Sequence, residues 1–99
     1  EIEARGREAG LDLWIGGMLE SGVGRALNLI LAALPGVTLP GDTSASDRYF
    51  ARDLVRPPAR LRPDGTIPVP KGPGLGVEVD REYLATVTVR EAWLRPPTR

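Results

Sequence analysis

Cysteine and histidine are both absent from this 99-residue chain. Without thiols there is no disulfide framework and no thiolate metal site, and without imidazole the commonest neutral metal ligand is gone, so zinc chemistry is excluded from its residues. Net charge is absent too: Lys and Arg total 13, as do Asp and Glu, leaving no summed field to hold nucleic acid or an acidic membrane. No apolar run approaches the ~20 residues that span a bilayer. The opening EIEARGREAG is too charged for a signal peptide. A cytoplasmic protein with neither a nucleic-acid nor a membrane partner is the expectation. Lysine is nearly missing, with Lys71 alone against twelve arginines, a bias that GC-rich coding explains at least as well as selection for bidentate anion contacts. The length allows one small core and makes a second domain improbable.

What is present begins as the tail of a helix. Glu1 to Ala9 mix charge with alanine and stop at Gly10, a suitable C-terminal glycine. The chain opens without methionine and already in helical pattern, which sets the expectation of further sequence upstream. Leu11 to Ile15, LDLWI, is short, apolar and flanked by glycine, and lacks the alternation of a half-exposed strand. It predicts a buried, parallel strand. After Gly16 and Gly17 comes a turn, then a helix over Val23–Leu34, closed by Pro35 and Gly36. That helix is apolar around most of its circumference, with Arg25 and Asn28 its narrow polar stripe at i, i+3 spacing, so it belongs inside a larger body.

From Val37 onward glycine and proline punctuate the chain. Ser44 followed by Asp47 is a loose capping box, predicting a short helix near 45–52. Asp64-Gly65 within RPDGT predicts a small hairpin, its returning strand confined to an edge by Pro68. KGPGLG (71–76) is an irregular loop, and Asp80 caps a last helix, Arg81 to about Val87, before a basic, proline-containing end.

One segment lies where α/β folds place ligands, between the end of a buried strand and a helix N-terminus: Gly16 to Arg25, GGMLESGVGR. Its glycines allow close backbone approach, and helix-start amides could hold a carboxylate or phosphate. Glu20 is the one side chain there with acid/base or hydrogen-bonding capacity, whereas Ser21 reads as an N-cap. The ending Gly-Lys-Ser/Thr of a phosphate loop and the GxGxxG pattern are both missing. Lys71 has no helix behind it and reads as a solvated loop lysine. Asp42, Asp47 and Asp53, spaced five and six apart, match no calcium loop and read as caps or surface groups.

GGMLESGVGRALN, then LPGDTSASDRYF, then PDGTIPVPKGPGLGVEVD, in this order over roughly residues 10–90, closely resemble the C-terminal end of the enolase superfamily. More narrowly they are similar to the muconate-lactonizing-enzyme subgroup, and within it to o-succinylbenzoate synthases and N-acylamino acid (N-succinylamino acid) racemases. The resemblance implies an α/β fold, the C-terminal fragment of a (β/α)8 barrel. Residues 1–36 would be the barrel's end (helix 7 tail, strand 8, helix 8), and 37–99 a tail with a small hairpin returning toward a capping domain. A complete barrel needs ~250 residues.

The resemblance also implies proton abstraction α to a carboxylate by one of two lysines, with Mg²⁺ held by three carboxylates. None of these matches a residue here, so no base and no metal ligand is carried over, and the fragment by itself is expected to be inactive. Gly16, Gly17 and Met18 are implied to line the substrate pocket, with Glu20 in or just outside it in an orienting or electrostatic role. The implied partners are a small-molecule carboxylate, the N-terminal part of the barrel and further copies of the subunit. The alternative from a different class is a self-standing binding module derived from a barrel end. An open strand edge and an exposed apolar helix face argue against that alternative.

Overall fold

The computed structural model describes residues 1–94. Helix α1 spans Ile2–Glu8. It ends as its glycine predicts: Gly10 adopts φ +68°, Leu11 N–H bonds the Gly6 carbonyl at 2.9 Å and Gly10 N–H that of Arg7 at 3.1 Å, the paired bonds of a Schellman stop. Gly6 is also the contact point with the next segment, since a Cβ there would stand 2.8 Å from a Leu13 methyl. A carboxylate closes the other side, Glu3 Oε1 accepting Gly36 N–H at 2.8 Å.

Leu11–Ile15 runs extended, but it joins only one neighbour, through a single parallel bridge between Leu13 and Val37. The Leu13 carbonyl accepts from both Thr38 N–H (3.1 Å) and Leu39 N–H (3.0 Å). The expectation of a buried strand is corrected here. Leu11 and Trp14 are exposed, because burial on both faces needs flanking strands, and the described residues supply none beyond Val37.

Helix α2 spans Gly22–Ala32, starting one residue before and ending two before the predicted limits. Its last turn tightens, with Ala33 and Leu34 N–H bonding Ile30 and Leu31 carbonyls, before Pro35 stops it. Ala26 and Leu29 are buried, whereas Leu27 on the opposite side is 45% exposed. The polar stripe divides: Arg25 is wholly buried and Asn28 half-buried.

The tail departs most from expectation. In place of a helix over 45–52 there is one 3-10 turn, Ser46–Arg48. Ser44 does not cap it; its hydroxyl bonds the Tyr49 hydroxyl at 3.2 Å. The Asp64-Gly65 turn forms, with Gly65 at φ +82°, Gly65 N–H on the Arg62 carbonyl at 3.0 Å and Asp64 Oδ1 accepting Thr66 N–H at 3.0 Å. Its flanks do not pair as a hairpin ladder. Pro57, Pro58, Pro63, Pro68 and Pro70 remove the donors that such a ladder needs. The sheet joins other residues instead: β1 (Val55–Arg56) and β2 (Glu78–Val79) pair antiparallel, Val55 opposite Val79.

Helix α3, Arg81–Val87, is capped as expected, with Asp80 Oδ1 accepting Tyr83 N–H at 3.1 Å. The same carboxylate accepts from Arg56 Nε at 3.0 Å and from the Arg52 guanidinium. Arg52 in turn lies 4.3 Å from the Tyr83 ring centroid. The final part of the basic end, residues 95–99, lies outside the described residues.

Ala26, Leu29, Ala45 and Val55 are the buried apolar residues among the described ones, a thin core between α2 and the tail. The Cα radius of gyration is 16.3 Å, well above the about 13 Å of a compact chain of this length.

Candidate functional site

The Gly16–Ser21 loop leaves the extended segment at Ile15 and enters α2 at Gly22. Two glycines bring a second loop against it. A Cβ on Gly41 would stand 2.7 Å from the Ile15 carbonyl oxygen, and one on Gly17 would stand 3.2 Å from Thr43 Cα. Gly17 N–H donates to Asp42 Oδ1. Residues 41–43 therefore form the adjoining wall. Gly16 lies under the Trp14 ring, 3.6 Å from where its Cβ would be, and Met18 stands out at 80% exposure.

Glu20 turns back on its own loop. Its Oε1 accepts the Met18 backbone N–H at 2.7 Å and Asn28 Nδ2 at 3.0 Å. The side chain crosses α2 at Gly24, where a Cβ would meet Glu20 Cβ at 3.0 Å and Cγ at 3.1 Å. Burial pushes the carboxyl upward, but the Met18 and Glu20 N–H groups, Asn28 and the Arg25 charge outweigh it and hold the pKa below the usual carboxylate value. Glu20 is thus an anion near neutral pH, suited to orientation and electrostatics rather than to donating a proton.

The start of α2 is closed by a residue 31 positions away. Ser21 occupies the N-cap position in extended conformation, yet its side chain caps nothing. Asp53 does so, its Oδ1 accepting Gly22 N–H at 2.7 Å. The expected cap is thereby corrected from Ser21 to Asp53, and one of the helix-start amides is already occupied. Close packing enforces the arrangement, because a Cβ on Gly22 would collide with Val55 and with both Asp53 oxygens.

Asp53 Oδ2 lies 4.0 Å from Nη1 of Arg25, with both side chains buried. That Nη1 is 3.5 Å from Ser46 Oγ, and the guanidinium lies 5.7 Å from the Tyr49 ring centroid. Arg25 Nε and Nη2, Asp53 Oδ2, Thr43 Oγ1 and Glu20 Oε2 are buried without a hydrogen-bond partner.

The anticipated site residues Gly16, Gly17, Met18 and Glu20 thus share one loop, with Met18 and Glu20 joined directly. Lys71 lies apart, beside Gly76 and next to a hollow of about 350 Å³ between α2 and the tail. Sequence reasoning missed Asp42, Asn28, Arg25 and Asp53 as partners of this region. The i, i+3 stripe of Arg25 and Asn28 was the available signal for two of them; Asp53 offered none. Among the described residues no group of three carboxylates converges to hold a metal, so the implied Mg²⁺ does not fit a site here and no step is derived through it. No described helix is long and apolar enough to cross a membrane.

Residues 1–83 match the family model described as enolase C-terminal domain-like. The chain is 51% identical over 85 residues to an N-succinylamino acid racemase of Amycolatopsis sp, covering 86% of this chain and 23% of that protein. It is 49% identical over 78 residues to an o-succinylbenzoate synthase of Bacillus subtilis (strain 168), covering 79% and 21%. A solved enolase-superfamily member from Listeria innocua superposes with a TM-score of 0.80 at 44% identity, over 86% of this chain and 23% of the other. The chain therefore spans about a quarter to a fifth of the length of the relatives it matches.

Proposed function

The chain belongs to the enolase superfamily, and from that premise we propose that it is the C-terminal end of a (β/α)8-barrel enzyme that abstracts a proton α to a carboxylate. In this reading Leu11–Gly17 is the last barrel strand and α2 the last barrel helix. Residues 37–99 form a tail directed toward a capping domain. The lysine base and the carboxylates that hold Mg²⁺ belong to the remainder of the barrel. The open Leu27 side of α2 packs against that remainder or against another subunit.

The observation that carries the reading is the loop at the end of the extended segment. Gly16 and Gly17 bring bare backbone to the strand end, Asp42 holds the Gly17 amide, and Met18 stands outward. This is the end of the strand at which α/β barrels build their sites. The reaction is that of the racemase or of the synthase that the chain resembles: inversion at the α carbon of an N-succinylamino acid, or the dehydration that yields o-succinylbenzoate. Gly16, Gly17 and Met18 form the pocket wall, with Glu20 at its edge supplying a fixed negative charge that favours a protonated lysine near it.

The deciding experiment assays the protein that carries this chain with both substrates in the presence of Mg²⁺. Turnover of either supports the reading, and the ratio of the two kcat/KM values assigns the activity. Absence of both reactions refutes it. Glu20→Gln tests the residue: about a tenfold loss in kcat/KM is expected, the size of one charge-assisted interaction. Unchanged turnover and binding would remove Glu20 from the site.

A further inference from the structure

Resting on the barrel-end reading, we propose that Glu20 acts without touching a substrate: Gly24 and Asn28 seat its carboxylate inward, and the seated carboxylate sets how the loop presents Met18 to the substrate's apolar substituent. Glu20, Gly24 and Asn28 are then positioning residues for substrate selection, and Met18 is the selecting surface.

Both carboxylate oxygens are engaged or enclosed within the chain. Oε1 already accepts two bonds, from Met18 N–H at 2.7 Å and from Asn28 at 3.0 Å. Oε2 is shut off from solvent and has no partner. Gly24 offers the bare helix surface along which the side chain must lie, and Asn28, one turn further on, supplies the donor that ends its path. The buried Arg25 cation lies on the same helix and lowers the cost of taking this anion out of water. The bond from Met18's own amide makes the link direct. Moving the carboxylate moves the backbone of Met18, the most exposed side chain of the loop. A thioether on a flexible, polarizable stem is suited to packing against an apolar substituent of variable shape. Altering its placement changes how tightly substrates bind before it changes the chemical step.

The experiment uses the protein that carries this chain, labelled with methyl-¹³C methionine, with Met18→Leu identifying the Met18 signal. Asn28→Leu removes the donor at similar size; the Met18 methyl signal should shift, and KM should rise about tenfold while kcat stays within about threefold. Gly24→Ala raises helix propensity yet displaces Glu20, so it should move the same signal in a protein at least as helical as the parent. An unmoved Met18 methyl in either folded variant overturns the proposal, as does an unchanged KM. A loss of about a hundredfold or more in kcat at constant KM in Glu20→Gln also overturns it, by placing the carboxylate on the reacting atoms. If the parent protein turns over neither substrate, the barrel-end reading fails, while the methyl signal still decides whether Asn28 and Gly24 position Met18.

Discussion

Residues 1–36 and 37–94 are ordered by different forces. The first part carries most of the helix, α1 and α2, yet shows much of its apolar surface: Ile2, Leu11, Trp14, Met18, Leu19 and Leu27 are all exposed. The second part has little regular structure and is rich in proline and glycine, yet it is pinned at specific points by carboxylates. Asp42 holds Gly17, Asp53 holds Gly22, and Asp80 holds Arg52, Arg56 and the start of α3. The helical part relies on tail carboxylates to close Gly17 and the start of α2, and the tail, which also exposes apolar residues such as Leu61, Val89 and Trp93, is held by those same polar links. Regular secondary structure is therefore a poor guide to which part of this chain is self-sufficient.

The contrast breaks most sharply at Asp53. Asp53→Ala removes the Gly22 cap and leaves Arg25 buried without its counter-charge, so a loss of about 3–5 kcal/mol is expected in a urea titration. Asp53→Asn keeps the cap oxygen and should cost less; equal losses would mean that the charge, not the cap, joins the two parts. An intermediate effect is expected at Gly22→Ala, where the added methyl meets Val55 and Asp53. A loss of about 1–3 kcal/mol is typical of overpacking, and no loss would show that the tail can slide away from α2.

Acid sharpens the comparison within the tail. Hydrogen bonding from Arg56, then from Tyr83 N–H and Arg52, holds the Asp80 carboxyl far below its ordinary value of 3.8. A depressed folded-state value means that this stabilisation is complete above the unfolded value and is lost as pH falls from there toward the folded one. Loosening of α3 and β1–β2 is expected below about pH 4, followed through the Tyr83 amide signal. Asp80→Asn should remove that acid limb, and a variant with the same pH profile would assign the loosening to another group. The smallest effect belongs to the open side of α2 in the 99-residue chain by itself: there Leu27→Lys should change stability by no more than about 0.5 kcal/mol, whereas the barrel-end reading expects a larger loss in the complete protein. The substitution should also reduce self-association of the chain measured by sedimentation. A larger loss in the complete protein would show that Leu27 is covered there.

What the sequence made legible was local. The glycine stop after α1, the body of α2, the Asp64-Gly65 turn and the Asp80 cap each rest on residues within a few positions of one another, where backbone sterics and short-range hydrogen bonds decide. The loop with Gly16, Gly17, Met18 and Glu20 was legible as a candidate site because its glycines sit between an extended segment and a helix start. What stayed hidden was long-range. Asp53 reaches Gly22 across 31 residues, and β1 finds β2 beyond a proline-rich excursion. A lone side chain closing a distant amide leaves no periodicity to read. Arg25 was legible as part of a polar stripe but not in its partners: the tail supplies Asp53, Ser46 and Tyr49 to receive it. Arg25 faces the tail together with Ala26 and Leu29, Asn28 faces the Gly16–Ser21 loop, and the Leu27 side is the open one.

The single parallel bridge between Leu13 and Val37 has an architectural consequence. Two segments running the same way, joined by α2, leave their downstream turns at the same end of the molecule, so residues 16–20 and 38–43 become neighbours however long either turn grows. The first is constrained along its length by Gly24 and Asn28. The second is fastened to it mainly through Asp42 and Gly41. The 38–43 stretch can therefore lengthen or shorten and leave the helix untouched.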